Sequence, residues 1–245
     1  MLEGYVGDPP ADLSLTLFAD ADFAGDQGDQ SRSTSGAIMF LTGPYSCMPL
    51  AAKSTKQPNT ATSTPEAEIV AAFHATKIIA LPALDLWEVL VDRPIKLEFK
   101  EDNQTALQVI KTGKLGSQMR HLPRHQGVSL GFLHQSFATD QMNMVYEQTD
   151  KQKADIFTKV FKEIPKWKHA KDIIGVRSPA ELNVCGYEEV KKTIIPPPPP
   201  VHPQKRTPKA SPCVSCRTCG YDCVSRSNTP PSVPAMVACF GGPVP

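Results

Sequence analysis

Hydrophobic and polar positions change rhythm several times along this chain, and each rhythm predicts a different element. Leu13, Leu15 and Leu17 alternate with Ser14, Thr16 and Phe18, the period-2 pattern of a half-buried strand. "SGAIMFLTG" and "PYSCMPLAAKS" read as two more strands joined by a short Gly-Pro turn. The period then lengthens. In "STPEAEIVAAFHATKIIAL" the residues Ala67, Val70, Ala71, His74, Ile78 and Leu81 recur at helical spacing and predict one buried stripe. Ser63-Thr64-Pro65-Glu66 supplies a capping box with proline in the first turn. Pro82 should end or kink this helix before a second segment, "ALDLWEVLV". "IKLEFK" alternates as a strand, and "NQTALQVIKTG" follows as a helix that Gly113 can terminate. A helical stretch over roughly 117–136, a last strand "MNMVYEQ" and a final helix opened by "DKQKADIFTKVFK" complete the pattern. Three early strands in a meander, then strands separated by helices, imply a mixed sheet covered by helices.

Composition divides the chain. With 245 residues, 40% of them hydrophobic, one medium domain with a real core fits the length. Of 24 prolines, 14 fall in residues 177–245, including the run Pro196 to Pro200, which favours a stiff polyproline spacer over packed structure. We therefore expect an ordered domain over 10–176, a transition segment over 177–195 and a Pro-rich, Cys-containing, disordered tail over 196–245. The net charge of +1 excludes a strongly basic nucleic-acid binder but not a local basic face. No run reaches the ~18 consecutive apolar residues of a membrane span, and the N-terminus lacks a signal-peptide pattern. Seven cysteines do not pair evenly, so free thiols in a reducing, intracellular setting are expected.

Four acids fall at element ends. Asp20 ends the first strand, in a stretch "LFADADFAGDQGDQ" that also holds Asp22, Asp26 and Asp29. Glu68 lies in the first turns of the first helix, Asp102 follows "IKLEFKE", and Asp155 lies in the first turns of the last helix. Each has an ordinary reading as well: a solvated strand end, a helix-dipole charge, an N-cap, an exposed helix acid. Strand ends and helix N-termini can converge on one edge of a layered domain. Four clustered carboxylates repel unless divalent cations occupy the cluster, and oxygen-only ligation suits Mg²⁺ or Mn²⁺ rather than zinc.

The wording of five segments narrows this further. "FADADFAGD", "RSTSGAIMFLTG", "KSTKQPNTATSTPEAEIVAA", "EDNQTAL" and "KADIFTKVF", in this order, resemble the C-terminal ribonuclease H domain of copia-type retrotransposon Pol polyproteins. The resemblance covers roughly residues 10–176. It implies a ribonuclease H-like three-layer α/β fold with a mixed five-stranded sheet flanked by helices. It also implies a catalytic, metal-binding quartet of Asp20, Glu68, Asp102 and Asp155 holding two Mg²⁺ or Mn²⁺ ions. The implied reaction is hydrolysis of the RNA strand of an RNA–DNA hybrid by a two-metal mechanism, leaving a 3′-hydroxyl and a 5′-phosphate. Asn103 and Gln104, polar on both donor and acceptor sides, are the expected minor-groove contacts, with a helix start bearing exposed amides as the alternative. Partners implied are the hybrid and the reverse transcriptase and integrase parts of a parent polyprotein, with no membrane.

The chain also departs from the pattern. "YEQTDKQKAD" lacks the mobile histidine some ribonucleases H carry before the last helix, and His121 and His125 lie earlier, around Pro123. Lysines from Lys151 to Lys171 give the last helix a basic character that suits phosphates or plain solubility. An integrase-like nuclease is disfavoured because Glu68 precedes Asp102. A catalytically inactive retroelement remnant that at most binds nucleic acid stays as the alternative function. In the tail, Cys213, Cys216, Cys219 and Cys223 spell C-x₂-C-x₂-C-x₃-C, a spacing that fits an iron–sulfur run or one Zn²⁺, or is an unstructured read-through.

Overall fold

The computed structural model describes residues 2–25 and 31–178. Strand β2 (Ser14–Asp22) is buried on both faces from Leu15 to Ala21, although its sequence alternates. Leu15, Leu17 and Ala19 join the larger core cluster with Met39, Leu41 and Ile69, while Phe18 packs with Ile38, Phe40, Ala154 and Ile174. A strand sealed on both faces needs a layer on each side of the sheet.

The sheet order is β1 (Tyr5–Val6), β4 (Ser46–Lys56), β3 (Thr34–Gly43), β2, β5 (Leu97–Glu101) and β6 (Met142–Tyr146). The first four are joined antiparallel, whereas β2–β5 and β5–β6 are parallel. This is the expected mixed sheet between helical layers, with six strands instead of five. The sixth is a two-residue edge, Tyr5 and Val6 against Cys47 and Ser46, too short to leave a period in the sequence. The same N-terminal stretch meets the end of the domain, where the Glu3 N–H donates to Gly175 O at 2.8 Å.

Helix α1 (Thr64–Ala75) starts as its capping box predicts, with the Ser63 hydroxyl accepting from the Glu66 N–H. It does not stop at Pro82. A π-helical segment, Thr76–Ala80, carries the Leu81 N–H to Thr76 O, and the helix continues as α2 (Leu81–Val91). The wider turns accommodate the proline's missing donor and rotate the buried stripe. Ala67, Val70 and Ala71 are buried as expected, but Ile78 is 47% exposed and Ala80 and Leu84 are buried beyond it. The whole helix, Thr64–Val91, is 28 residues long and apolar enough to cross a bilayer by length and composition. Here Ile69, Val70, Ala72 and Phe73 spend that apolarity on the core.

Two further expectations change. The single helix over 117–136 is three pieces: a 3-10 turn Ser117–Met119, α4 (Leu122–His125) and α5 (Leu130–Phe137). Gly127, at φ +67°, turns the chain between the last two. "KADIF" does not open the final α-helix; it forms a 3-10 turn Lys153–Phe157, and α6 (Ile164–Ile173) begins later with Pro165 in its first turn. Helix α3 (Gln104–Thr112) ends at Gly113 as expected, at φ +66°. Asp26, Asp29, the tail 196–245 with its cysteine run, and all of the transition segment except residues 177 and 178 lie outside the described residues.

Candidate active site

Strands β2 and β5 are parallel, so their C-terminal ends reach one edge of the sheet. Asp20 lies near the end of β2, opposite Gly36 of β3, and Asp102 directly follows β5. Glu68, in the second turn of α1, reaches the same place. Carboxylate oxygens of Asp20, Glu68 and Asp102 all lie within 4.8 Å of one another, with Asp20 and Glu68 buried and Asp102 half-buried.

Asp155 is brought alongside but not into this group. Its Oδ1 lies 2.8 Å from Lys159 Nζ, and the same ammonium is 3.5 Å from Asp20 Oδ1. Glycine allows this approach: a Cβ at Gly36 would stand 2.6 Å from Thr158 Cγ2 and 2.9 Å from Phe157 Cβ. Three hydrogen bonds then hold the segment on the sheet. Thr158 Oγ1 donates to Asp20 Oδ2, Gln152 Nε2 to Ala19 O at 2.9 Å, and Ser54 Oγ to Phe157 O at 2.6 Å.

Crowded carboxylates out of water favour their neutral forms. Burial, then the charges of Glu101, Asp20 and Asp102, push Glu68 up to about 11. Burial followed by Asp20 raises Asp102, and the same two causes bring Asp155 to about 6. Burial works against the Lys159 ammonium, but Asp20, Asp155 and Asp102 outweigh it and hold its pKa above the ordinary lysine value.

Glu101 is a further member of this neighbourhood, outside the four acids that the sequence pattern points to. It is fully buried, one oxygen accepts from the Asn103 N–H at 3.1 Å, and the other has no partner. Burial raises its pKa well above the carboxylate range. The signal was available: Leu97, Phe99 and Glu101 share the inward face of an alternating strand.

Asn103 caps α3, its Oδ1 accepting from the Ala106 N–H at 3.0 Å, so Asp102 is not the helix cap. Gln104 is exposed beside Gln108 and Tyr146. His121 is tied elsewhere, its Nε2 3.0 Å from Glu66 Oε2. Glu66 is fully buried, and Thr62 N–H and Gln126 Nε2 also donate to it at 2.9 Å.

No family model matches the chain, and no curated protein sequence matches it. Among solved structures it is similar to LC11-RNase H1, isolated from compost by a metagenomic approach: 14% identity, TM-score 0.37, 59% of this chain and 92% of that one. A second is the N-terminal RNase H domain of Rv2228c from Mycobacterium tuberculosis, at 14% identity and TM-score 0.39, covering 65% and 97%. A third is the RNase H domain of PFV, at 12% identity and TM-score 0.41, covering 66% and 93%.

The donor set itself tests the fit of a metal. Asp20, Glu68 and Asp102 offer oxygen atoms alone, and Glu68 Oε2 is buried without a hydrogen-bond partner. That combination suits one hard divalent cation such as Mg²⁺ or Mn²⁺. An ion shared by Asp20 and Asp155 fits less well, because Lys159 already lies against both.

Proposed function

We propose that this chain is a divalent-metal-dependent ribonuclease of ribonuclease H type. It hydrolyses the RNA strand of RNA–DNA hybrids, as part of or derived from a copia-type retrotransposon Pol polyprotein. The supporting observation is the convergence of Asp20, Glu68 and Asp102 from three elements onto one partly buried point. Asp20, Glu68 and Asp102 would hold Mg²⁺ or Mn²⁺, which would supply Lewis acidity at the phosphate and at a water. Asp155 stands on the other side of Asp20, paired with Lys159, its segment fixed by Thr158 and Gln152. Gln104, exposed at the start of α3, and the amide nitrogen of Asn103 donate to the minor groove of the hybrid, where 2′-hydroxyls distinguish RNA from DNA. His121 plays no part in proton transfer, because it is committed to Glu66.

The deciding experiment incubates purified protein with a labelled RNA–DNA hybrid in Mg²⁺ or Mn²⁺, with EDTA as control. Metal-dependent cleavage of the RNA strand alone supports the reading. A folded protein that cleaves with neither metal is the inactive remnant.

A further inference from the structure

We propose that the Lys159 ammonium permanently takes the second cation position, so the active site binds one divalent ion beside a built-in monovalent one. This rests on the metal-dependent reading above and deepens it.

The geometry leaves the ammonium little choice of place. Lys159 Nζ lies 2.8 Å from Asp155 Oδ1 and 3.5 Å from Asp20 Oδ1, so it bridges the two carboxylates a second ion would have to share. It is fixed at its other end too, since the Lys159 N–H donates to Asp155 O at 2.9 Å. The next residue back, Thr158, donates to the remaining Asp20 oxygen. That leaves the oxygens of Glu68 and Asp102, gathered with Asp20, for a divalent ion on the other side.

The charge balance points the same way. Asp20, Glu68, Glu101, Asp102 and Asp155 bring five carboxyl groups to one edge of the sheet. The Lys159 ammonium lies against two of them, Asp155 at 2.8 Å and Asp20 at 3.5 Å. A divalent ion entering between Asp20 and Asp155 would have to expel a half-buried ammonium and leave it without those partners. One divalent ion and one ammonium carry three positive charges against the acids, and neither needs the other's ligands, apart from Asp20, which serves both.

The test counts bound Mn²⁺ on the full chain without nucleic acid, from the loss of the free-ion signal in electron paramagnetic resonance. Wild type should bind one ion. Lys159→Gln should bind two, Lys159→Arg should stay at one, and Lys159→Gln combined with Asp155→Asn should return to one. Two ions on wild type, one on Lys159→Gln, or two on the double variant would each overturn the proposal. No ion on wild type would instead remove the metal site of Asp20, Glu68 and Asp102, and with it the ribonuclease reading. Should Lys159→Gln fail to fold, the wild-type count and a Mn²⁺ activation curve decide: a Hill slope near one supports the proposal, a slope near two overturns it.

Discussion

Gly36 and Thr158 approach more closely than a side chain at position 36 permits, for a Cβ there would stand 2.6 Å from Thr158 Cγ2. The contact places Thr158 under Asp20, and with it Asp155 and Lys159. Gly36→Ala must push the 153–158 segment off β3. Overpacking of this kind costs about 1–3 kcal/mol, and each kcal/mol lowers the melting temperature of a domain this size by roughly 2–4 °C. Cleavage should fall more than stability explains, because two charged groups of the site move together. Gly131→Ala is the control: nothing lies within 4 Å of its Cβ, and it sits within α5. It should stabilise by about 0.5–1 kcal/mol through helix propensity alone. Thermal melting and hybrid cleavage of both variants check the pair.

Glu68→Gln and Asp102→Asn should separate metal ligands from structural acids. Each removes a charge that the proposed ion needs, so cleavage should drop by on the order of 10²-fold or more. In EDTA neither should melt earlier than wild type. Glu68→Gln should melt later, because the carboxyl it replaces is buried beside Glu101, Asp20 and Asp102. Asp22→Asn, on the same strand as Asp20 but outside the three-acid group, should keep near wild-type cleavage. Full cleavage by both ligand variants, or its loss in Asp22→Asn alone, would show the site to be elsewhere.

How much of this was legible beforehand follows from what each feature depends on. Asp20 and Asp102 could be placed at strand ends because alternation marks strands directly. Glu68 was placed by a capping box that fixes the helix start. The local pattern around Asp155 predicts an α-helix, yet its 3-10 turn is shaped by Gly36, Thr158 and Ser54, contacts across more than a hundred residues that no local period records. The π segment before Pro82 was hidden for a related reason: a proline predicts a break, and only packing on the sheet decides whether the helix absorbs it. In the sequence Lys159 is one lysine of a basic run, although its spacing of four from Asp155 already allows the ion pair.

His121 lies 3.0 Å from a carboxylate with no solvent exposure, and this makes it a brace. His121→Ala leaves Glu66 with its Thr62 and Gln126 donors but one short, a loss of about 0.5–1.5 kcal/mol. The variant should melt several degrees lower yet cleave at near wild-type rate well below its melting temperature. A large loss of cleavage at a temperature where it is fully folded would return His121 to the chemistry.

The pH dependence of the metal-free protein carries the clearest sign. Glu68 is held near 11 and Glu101 well above its ordinary value, whereas both titrate near 4.3 in an unfolded chain. Between pH 7 and 9 the folded protein therefore keeps the Glu68 proton that the unfolded chain has already released. With fewer protons on the unfolded side, stability must fall as pH rises, by about 1.4 kcal/mol per pH unit for each proton held. The window matters. Below pH 6.5 His74, whose pKa burial lowers, works in the opposite sense, and Asp155 near 6 is still titrating. Above pH 7 both contributions are complete. Melting in EDTA should thus fall steadily from pH 7 to 9 in wild type and less steeply in Glu68→Gln, which has one such proton fewer. Saturating Mg²⁺ should make the fall shallower, because the ion takes Glu68 in its charged form and the folded protein then no longer holds that proton. A melting temperature in EDTA that is flat or rises across this window would mean that Glu68 is ionised in the folded protein, and that the crowding at the sheet edge is relieved some other way.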